Sequence, residues 1–459
     1  MVDTTAVLGE TLKTLIENKK FSTIRDMLET MNPSDIAGIF QDFSDEKLPV
    51  MFRLLPKELA AEVFVEMDSD QQELLIRSFS DTELKEVVDE LYVDDAADIV
   101  EEMPANVVKR ILRQADPEMR KMINEVLNYP EDSAGSIMTT EYVSLRPKMT
   151  VQEAFKRIKR TGIDKETVYT CYVISDDRML LGYVSLRSLL LADEDEKIEE
   201  IMDPNVISVC TTDDQEEVAR AMSKYNFMAL PVTDKEGRLV GIVTIDDALD
   251  VIEEETTEDM EKMAAIMSSD DKPYLKTGVI ELWKARIPWL LFLMISATFT
   301  GIIITNFEDS LKACAVLTAF IPMLMDTGGN TGSQASVTVV RALTLGQVEF
   351  SDVWKIIWKE IRVAVICGIT LAVAGFLKIF LIDRLLMNNY AVTFPVEIVI
   401  CSTLFFTVIC AKITGCTLPL IAQKAHLDPA VMASPFITTI VDVISLIIYF
   451  GIAKLILGI

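Results

Sequence analysis

The side chain least expected in its surroundings is Asp442. It stands in PFITTIVDVISLIIYF, about two turns after Pro435, among apolar and hydroxyl residues that include Thr438 and Thr439. A carboxylate at the centre of a membrane helix costs about 2.5–3.5 kcal/mol, so it is kept where it faces water or a partner. Lys378 and Lys412 are the basic residues in apolar surroundings that could pair with it. A second group lies in IPMLMDTGGNTGSQASVTVVRAL, where Asp326, Asn330, Ser333 and Gln334 offer oxygen beside Pro322, Gly328, Gly329 and Gly332. Polar, irregular backbone at membrane depth is tolerated only where it lines water or packs in protein, so the glycines are expected to break a helix here. Close helix packing through the glycines is the other reading. The chemistry on offer is hard oxygen coordination of a cation. With one histidine, His426, and seven cysteines without CxxC spacing, a His-based zinc or iron site and a Ser-His or Cys-His nucleophile are excluded. The chain is not expected to be an enzyme.

Acidic residues dominate the rest. The chain has 71 Asp and Glu against 43 Lys and Arg, net -28, and the excess precedes Trp283. Such a surface repels nucleic acid and selects cations, basic partners or water. Glu253, Glu254, Glu255, Glu258, Asp259 and Glu261 crowd into less than three turns of VIEEETTEDMEKM. Like charges that dense cost energy unless a cation or partner relieves them; a solvated linker helix is the alternative.

The elements that must position these residues fall into distinct rhythms. Residues 11–129 read as short amphipathic helices with related phrases at DIAGIF, ELAAEVFVEM and DDAADIVEEMP. Small residues recur in each, the pattern of helices stacked into a superhelix. From Ser133 the pattern changes to strand, helix, strand, strand, helix, and it occurs twice. SIMTTEYVSLRPKMTVQEAFKRI is echoed by EIMDPNVISVCTTDDQEEVARAM, and LLGYVSLRSLL by LVGIVTIDDAL, with DKEGRL as a hairpin turn. These copies resemble a tandem pair of CBS domains. The resemblance implies one adenine-nucleotide (ATP) site at Gly241, Thr244 and Asp247, matching GxxTxxD; the first copy has Gly182 and Ser185 but Ser188 in place of the acid. The same three residues read equally as an ordinary strand-to-helix turn.

The last part is apolar. Residues 287–305 carry no charge over nineteen positions, enough to cross hydrocarbon. Four further spans are expected, at about 311–325 continuing into a polar segment, 363–382, 392–422 and 430–459. Lys284 and Arg286 precede the first, Arg341, Lys355, Lys359 and Arg362 lie between the second and third, and Lys424 between the fourth and fifth. The positive charge puts the N-terminal part in the cytosol and the C-terminus outside. No basic stretch leading into an apolar core opens the chain, so no cleaved signal is expected.

In that order of parts, and in the GGNTGSQ and TTIVD segments, the chain resembles the MgtE magnesium channel family. The resemblance implies an all-α superhelical domain at 1–132, an α/β tandem CBS pair at 133–253, an acidic plug helix at 254–282 and a bundle of five transmembrane helices at 283–459. It implies a homodimer in the cell inner membrane, in lipid, with a pore built from the second and fifth spans. There Asp442 binds hydrated Mg2+, with Asp326, Asn330, Thr438 and Thr439 beside it. It also implies closure by cytosolic Mg2+, sensed at Asp94, Asp95, Asp98, Asp214, Glu217, Asp246, Asp247, Asp250, Glu255, Glu258 and Asp259. One departure stands out, Asn226 after Tyr225, where the family often has an acid. Two rivals remain: transport of another divalent ion such as Co2+ or Mn2+, and a membrane-anchored nucleotide sensor without a pore. Hard oxygen donors favour Mg2+.

Overall fold

The computed structural model describes residues 2–162, 165–267, 274–275, 277–386, 391–432 and 434–458. It divides into two compact units, Met1–Ile252 and Glu253–Ile459.

The first unit begins with ten helices, from Val2–Glu17 to Pro117–Val126. Their starts are encoded locally. Asn32 caps Pro33–Phe40 by accepting from Ser34 N, Asp116 caps Pro117–Val126, and Ser80 with Glu83 closes a capping box. The recurring small residues Ala37, Ala60, Ala61, Ala96 and Ala97 are all buried in one core with Phe40, Phe64 and Leu75. Small side chains let successive helices approach closely, which is why the phrase repeats.

Two three-stranded sheets follow. In the first, β1 (Tyr142–Leu145) runs parallel to β2 (Thr167–Ile174), which pairs antiparallel with β3 (Leu180–Ser185); in the second, β4 (Val209–Cys210), β5 (Ala229–Thr233) and β6 (Leu239–Thr244) repeat that order. The DKEGRL segment forms the β5–β6 turn: Gly237 takes φ +83°, and Asp234 Oδ1 accepts from Arg238 N at 2.9 Å. Tyr172 and Ile174 of the first copy share a core with Ala229, Leu239 and Ile242 of the second. A Cβ on Gly182 would lie 2.6 Å from Asp203 O, and one on Gly241 2.6 Å from Thr139 O. Backbone crosses at both places, so glycine is required there on packing grounds alone.

The acidic helix is not a separate element beginning at 254. It is continuous with the last helix of the second copy as Ile245–Met263. Residues 268–273, within the expected plug segment, lie outside the described residues.

The second unit is helical: Val279–Asn306, Ile321–Thr344, Val353–Lys378, Phe394–Lys424 and Ser434–Leu457 are its long helices. Among the described residues, four helices are long and apolar enough to cross a membrane, at Val279–Asn306, Phe350–Leu386, Phe394–Lys424 and Ala430–Leu457. The remaining helix, Ile321–Thr344, is more polar and packs closely against Phe394–Lys424 and Ser434–Leu457. The second span, expected from about 311 into the polar segment, starts later: Glu308–Ala313 and a short 3-10 helix at Ala315–Phe320 precede the helix Ile321–Thr344.

Candidate functional site

Helix Ile321–Thr344 is unbroken through Gly328, Gly329 and Gly332, so the expected helix break does not occur. The glycines make one side of the helix narrow. A Cβ on Gly328 would meet Ser445 Oγ and Thr407 Cγ2 at 2.8 Å, one on Gly329 would meet Thr438 Cγ2 at 2.9 Å, and one on Gly332 Ile437 Cγ2 at 2.8 Å. Gly415 of the next helix would place a Cβ 2.2 Å from Gly332 O. Close approach is thus the glycines' work. The helix hydrogen bonds satisfy the backbone through this stretch.

The other side of that helix carries the oxygens. Asp326, Asn330 and Gln334 recur at four-residue intervals, following Pro322 in the same register, and all are exposed on the single chain. Asp442 is half-buried on Ser434–Leu457, and Asp326 is near enough to repel it. The two candidate bases are engaged elsewhere. Lys412 pairs with Glu360 at 3.3 Å, both nearly buried, and Lys378 pairs with Asp383 at 2.8 Å. Asp442 has no ion-pair partner among the described residues. Thr438 and Thr439 donate their hydroxyls to Pro435 O, at 2.8 and 3.1 Å. The methyl side of Thr438 packs on Gly329, so these threonines hold the start of the helix as well as flanking Asp442.

A separate cluster of acids lies in the first unit. Asp94 and Asp95 open helix Val93–Glu102, and Asp98 follows one turn later. Asp246 and Asp247 occupy the first turn of Ile245–Met263, where the helix dipole favours negative charge. Asp94 is 5% exposed, and one of its oxygens has no hydrogen-bond partner; the same holds for Glu166 Oε2. Burial first, and Asp247 next, push Asp94 well above the usual carboxylate range. Burial and the charges of Asp247 and Asp246 push Asp95 up to about 7. Glu166 rises to about 8 through burial and Asp246, and Asp247 to about 6 through burial, although its bonds from Thr244 pull it down. Asp98 also rises, by burial and Asp247, but its carboxylate is exposed at the surface, so water screens part of the effect. The charges acting most strongly on all five are carboxylates.

Such a group is short of positive charge. Among the described residues no three carboxylates converge to hold a bare ion. A cation keeping its water shell needs no such convergence, because carboxylates can reach it through hydrogen bonds. Asp214 and Glu217 are exposed on another helix, Gln215–Tyr225, where Asp214 serves as N-cap to Glu216 N at 2.9 Å. Asn226 ends that helix at φ +55°, a left-handed position that asparagine tolerates better than most residues. Asp250 is exposed on the turn after Asp247.

In the second unit, Glu258 binds Lys262 at 2.7 Å, and Lys262 also binds Asp428 at 2.6 Å, in the segment leading into Ser434–Leu457. Asp259 accepts from Thr344 at 3.5 Å, and Glu255 is half-buried. Sequence reading missed Glu166, Lys262 with Asp428, and the Glu360–Lys412 pair. Each joins residues far apart in the chain, and only Lys412, a charge inside an apolar run, offered a signal.

The turn at Gly241, Thr244 and Asp247 is closed on itself: Thr244 Oγ1 donates to Asp247 Oδ2 at 2.5 Å, and Thr244 N reaches the same oxygen at 3.3 Å.

Similarity to known proteins runs along nearly the whole chain. The family described as "Divalent cation transporter" matches residues 321–452, "MgtE intracellular N domain" residues 10–132, and "CBS domain" residues 134–195 and 198–254. "Magnesium transporter MgtE" of Thermus thermophilus is 36% identical over 98% of each chain. The protein of the same name from Bacillus subtilis is 32% identical over 96% of this chain and 95% of its own. Among solved structures, the cytosolic domain of the Mg2+ channel MgtE in complex with ATP is 39% identical, with TM-score 0.51 over 53% of this chain and 99% of that one. The soluble part of a magnesium transporter is 30% identical, with TM-score 0.52 over 55% of this chain and 99% of that one.

Proposed function

Because the chain belongs to the MgtE family of magnesium transporters, we propose that Mg2+ crosses the membrane along the polar side of Ile321–Thr344, past Asp442, in a homodimer gated by cytosolic Mg2+. The chain is a membrane-embedded Mg2+ transporter with a helical domain, a CBS pair and a helical membrane region. The observation that carries the pore reading is the stripe Asp326, Asn330 and Gln334, exposed on one chain, with Asp442 lacking an ion-pair partner among the described residues. Hydrocarbon cannot cover such a face. Two copies facing one another would enclose it and set two Asp442 carboxylates around one axis, a ring that attracts a hydrated divalent cation.

Gating rests on the acid cluster. Asp94, Asp95, Asp98, Asp246, Asp247 and Glu166 repel one another unless a cation binds between them, so Mg2+ favours the docked arrangement by binding it better. Asp214, Glu217, Asp250, Glu255, Glu258 and Asp259 are proposed as further sensing acids. Five crossings, with the N-terminal part cytosolic and the C-terminus outside, follow the positive charge beside the spans. The ATP complex of the relative supports a nucleotide site at Gly241, Thr244 and Asp247.

The deciding experiment is Mg2+ flux into liposomes holding the purified protein, wild type beside Asp442→Ala, with cytosolic-face Mg2+ raised from trace to millimolar. Flux that needs Asp442 and stops as that Mg2+ rises supports pore and sensor together. Folded dimer without flux at any concentration overturns the pore reading.

A further inference from the structure

A groove of about 390 Å³ opens in the second unit between Met267, Pro288, Trp289, Phe292, Val431 and Phe436. Its wall is built of aromatic rings held by one another. Phe292 stacks on Phe436 with ring centroids 6.4 Å apart and planes 11° from parallel, and Trp289 meets Phe292 edge-on at 5.8 Å. Met267 N donates to Ala285 O at 2.9 Å, which fixes that corner of the groove. The lining offers no charged group.

Position in the chain says what could fill it. Pro288, Trp289 and Phe292 fall in the first turns of the uncharged stretch 287–305, the depth at which headgroups give way to acyl chains. Immediately before it on the same helix, Lys284 stands one turn ahead of Pro288, and Arg286 one turn ahead of Trp289. Both are exposed, and neither has an ion-pair partner among the described residues. The acid on that turn, Glu281, caps its own helix by accepting from Gly278 N at 3.0 Å. An apolar slot at the hydrocarbon boundary with two unpaired cations at its polar end matches an amphiphile with an anionic head.

We propose that this groove binds one acyl chain of an anionic phospholipid of the bilayer, with Lys284 and Arg286 holding its phosphate. The groove lies between the first membrane helix and the segment entering Ser434–Leu457, the helix of Asp442, so an occupying chain braces that entry. The site is independent of ion conduction and can be tested without it.

The test is native mass spectrometry of the full-length protein in detergent, with phosphatidylglycerol or phosphatidylcholine of equal chain length added. Wild type is expected to retain phosphatidylglycerol in preference by about tenfold or more, the size expected for two cations near anionic headgroups. Lys284→Gln with Arg286→Gln, both at the surface, should bring the two lipids to parity. Val431→Trp, which fills the slot, should remove both. Equal retention of the two lipids by wild type overturns the proposal, as does retention unchanged in the double Gln protein. If Val431→Trp still binds while the double Gln protein does not, the two cations hold the head but the acyl chain lies outside this slot, and the proposal also fails. Wild type that takes up neither lipid overturns it too, as expected of a groove covered by another part of the chain or by a second copy.

Discussion

Replacing Asp95 with Asn should stabilise the first unit when divalent ions are absent and weaken its response when they are added. The carboxylate is raised from 3.8 to about 7 by burial and by Asp247. That shift of about three units corresponds to a ceiling of about 4 kcal/mol of unfavourable charge in the folded state. Asp98 and Asp246 in the same cluster are exposed, and water there relaxes part of the repulsion, so about 1–2 kcal/mol is a realistic gain. For a unit of this size that is roughly 2–8 °C in melting temperature. The sign with pH follows from the raised values. Acids whose folded pKa is raised contribute stability that is full below about pH 4 and is lost as pH climbs through about 6 to 8, the range of Asp247, Asp95 and Glu166. The assay is thermal melting of the full chain in detergent, in chelator and in millimolar Mg2+, at pH 5.5 and pH 8. Wild type should melt lower at pH 8 than at pH 5.5 in chelator, and Mg2+ should recover the difference by mass action. Asp95→Asn should melt higher than wild type at pH 8 in chelator and gain less from Mg2+. An Asn protein that melts at or below wild type there, with an undiminished Mg2+ response, refutes the reasoning.

Other outcomes follow from the second unit. Asp442→Asn should keep the fold and lose most Mg2+ flux, because the neutral amide cannot hold a hydrated divalent ion; flux at the wild-type rate would remove Asp442 from the path. Gly415→Val places branched carbon on Gly332 O, where even a Cβ would lie 2.2 Å away, and should cost about 1–3 kcal/mol or more, read as a loss of folded protein on size-exclusion chromatography. Lys412→Met leaves Glu360 buried and uncompensated, a cost of about 3–5 kcal/mol, and the double change with Glu360→Met should recover most of the lost melting temperature. Lys262→Gln releases both Glu258 and Asp428, so amide exchange should quicken in the C-terminal turns of Ile245–Met263.

Sequence alone determined the order and kind of the parts. Recurring buried alanines, the duplicated strand–helix phrases and a nineteen-residue uncharged stretch are local patterns, each set by how one helix or strand must bury its own apolar side. Asp442, Asp326, Asn330 and Gln334 were legible for the same reason, since a polar group in an apolar run stands out against its neighbours; that the last three share one side of a continuous helix was not. What the glycines do was decided by tertiary structure: Gly332 and Gly415 are narrow because another helix passes over them, and nothing in GGNTG distinguishes that from a broken helix. The partners of Lys378 and Lys412 were decided there too, by which helices lie side by side. The acid cluster needed both. DDAAD and TIDDALD each declare their charge, but Glu166 joins them only through the fold, and the raised pKa values come from burial and repulsion between segments that sequence separation keeps apart.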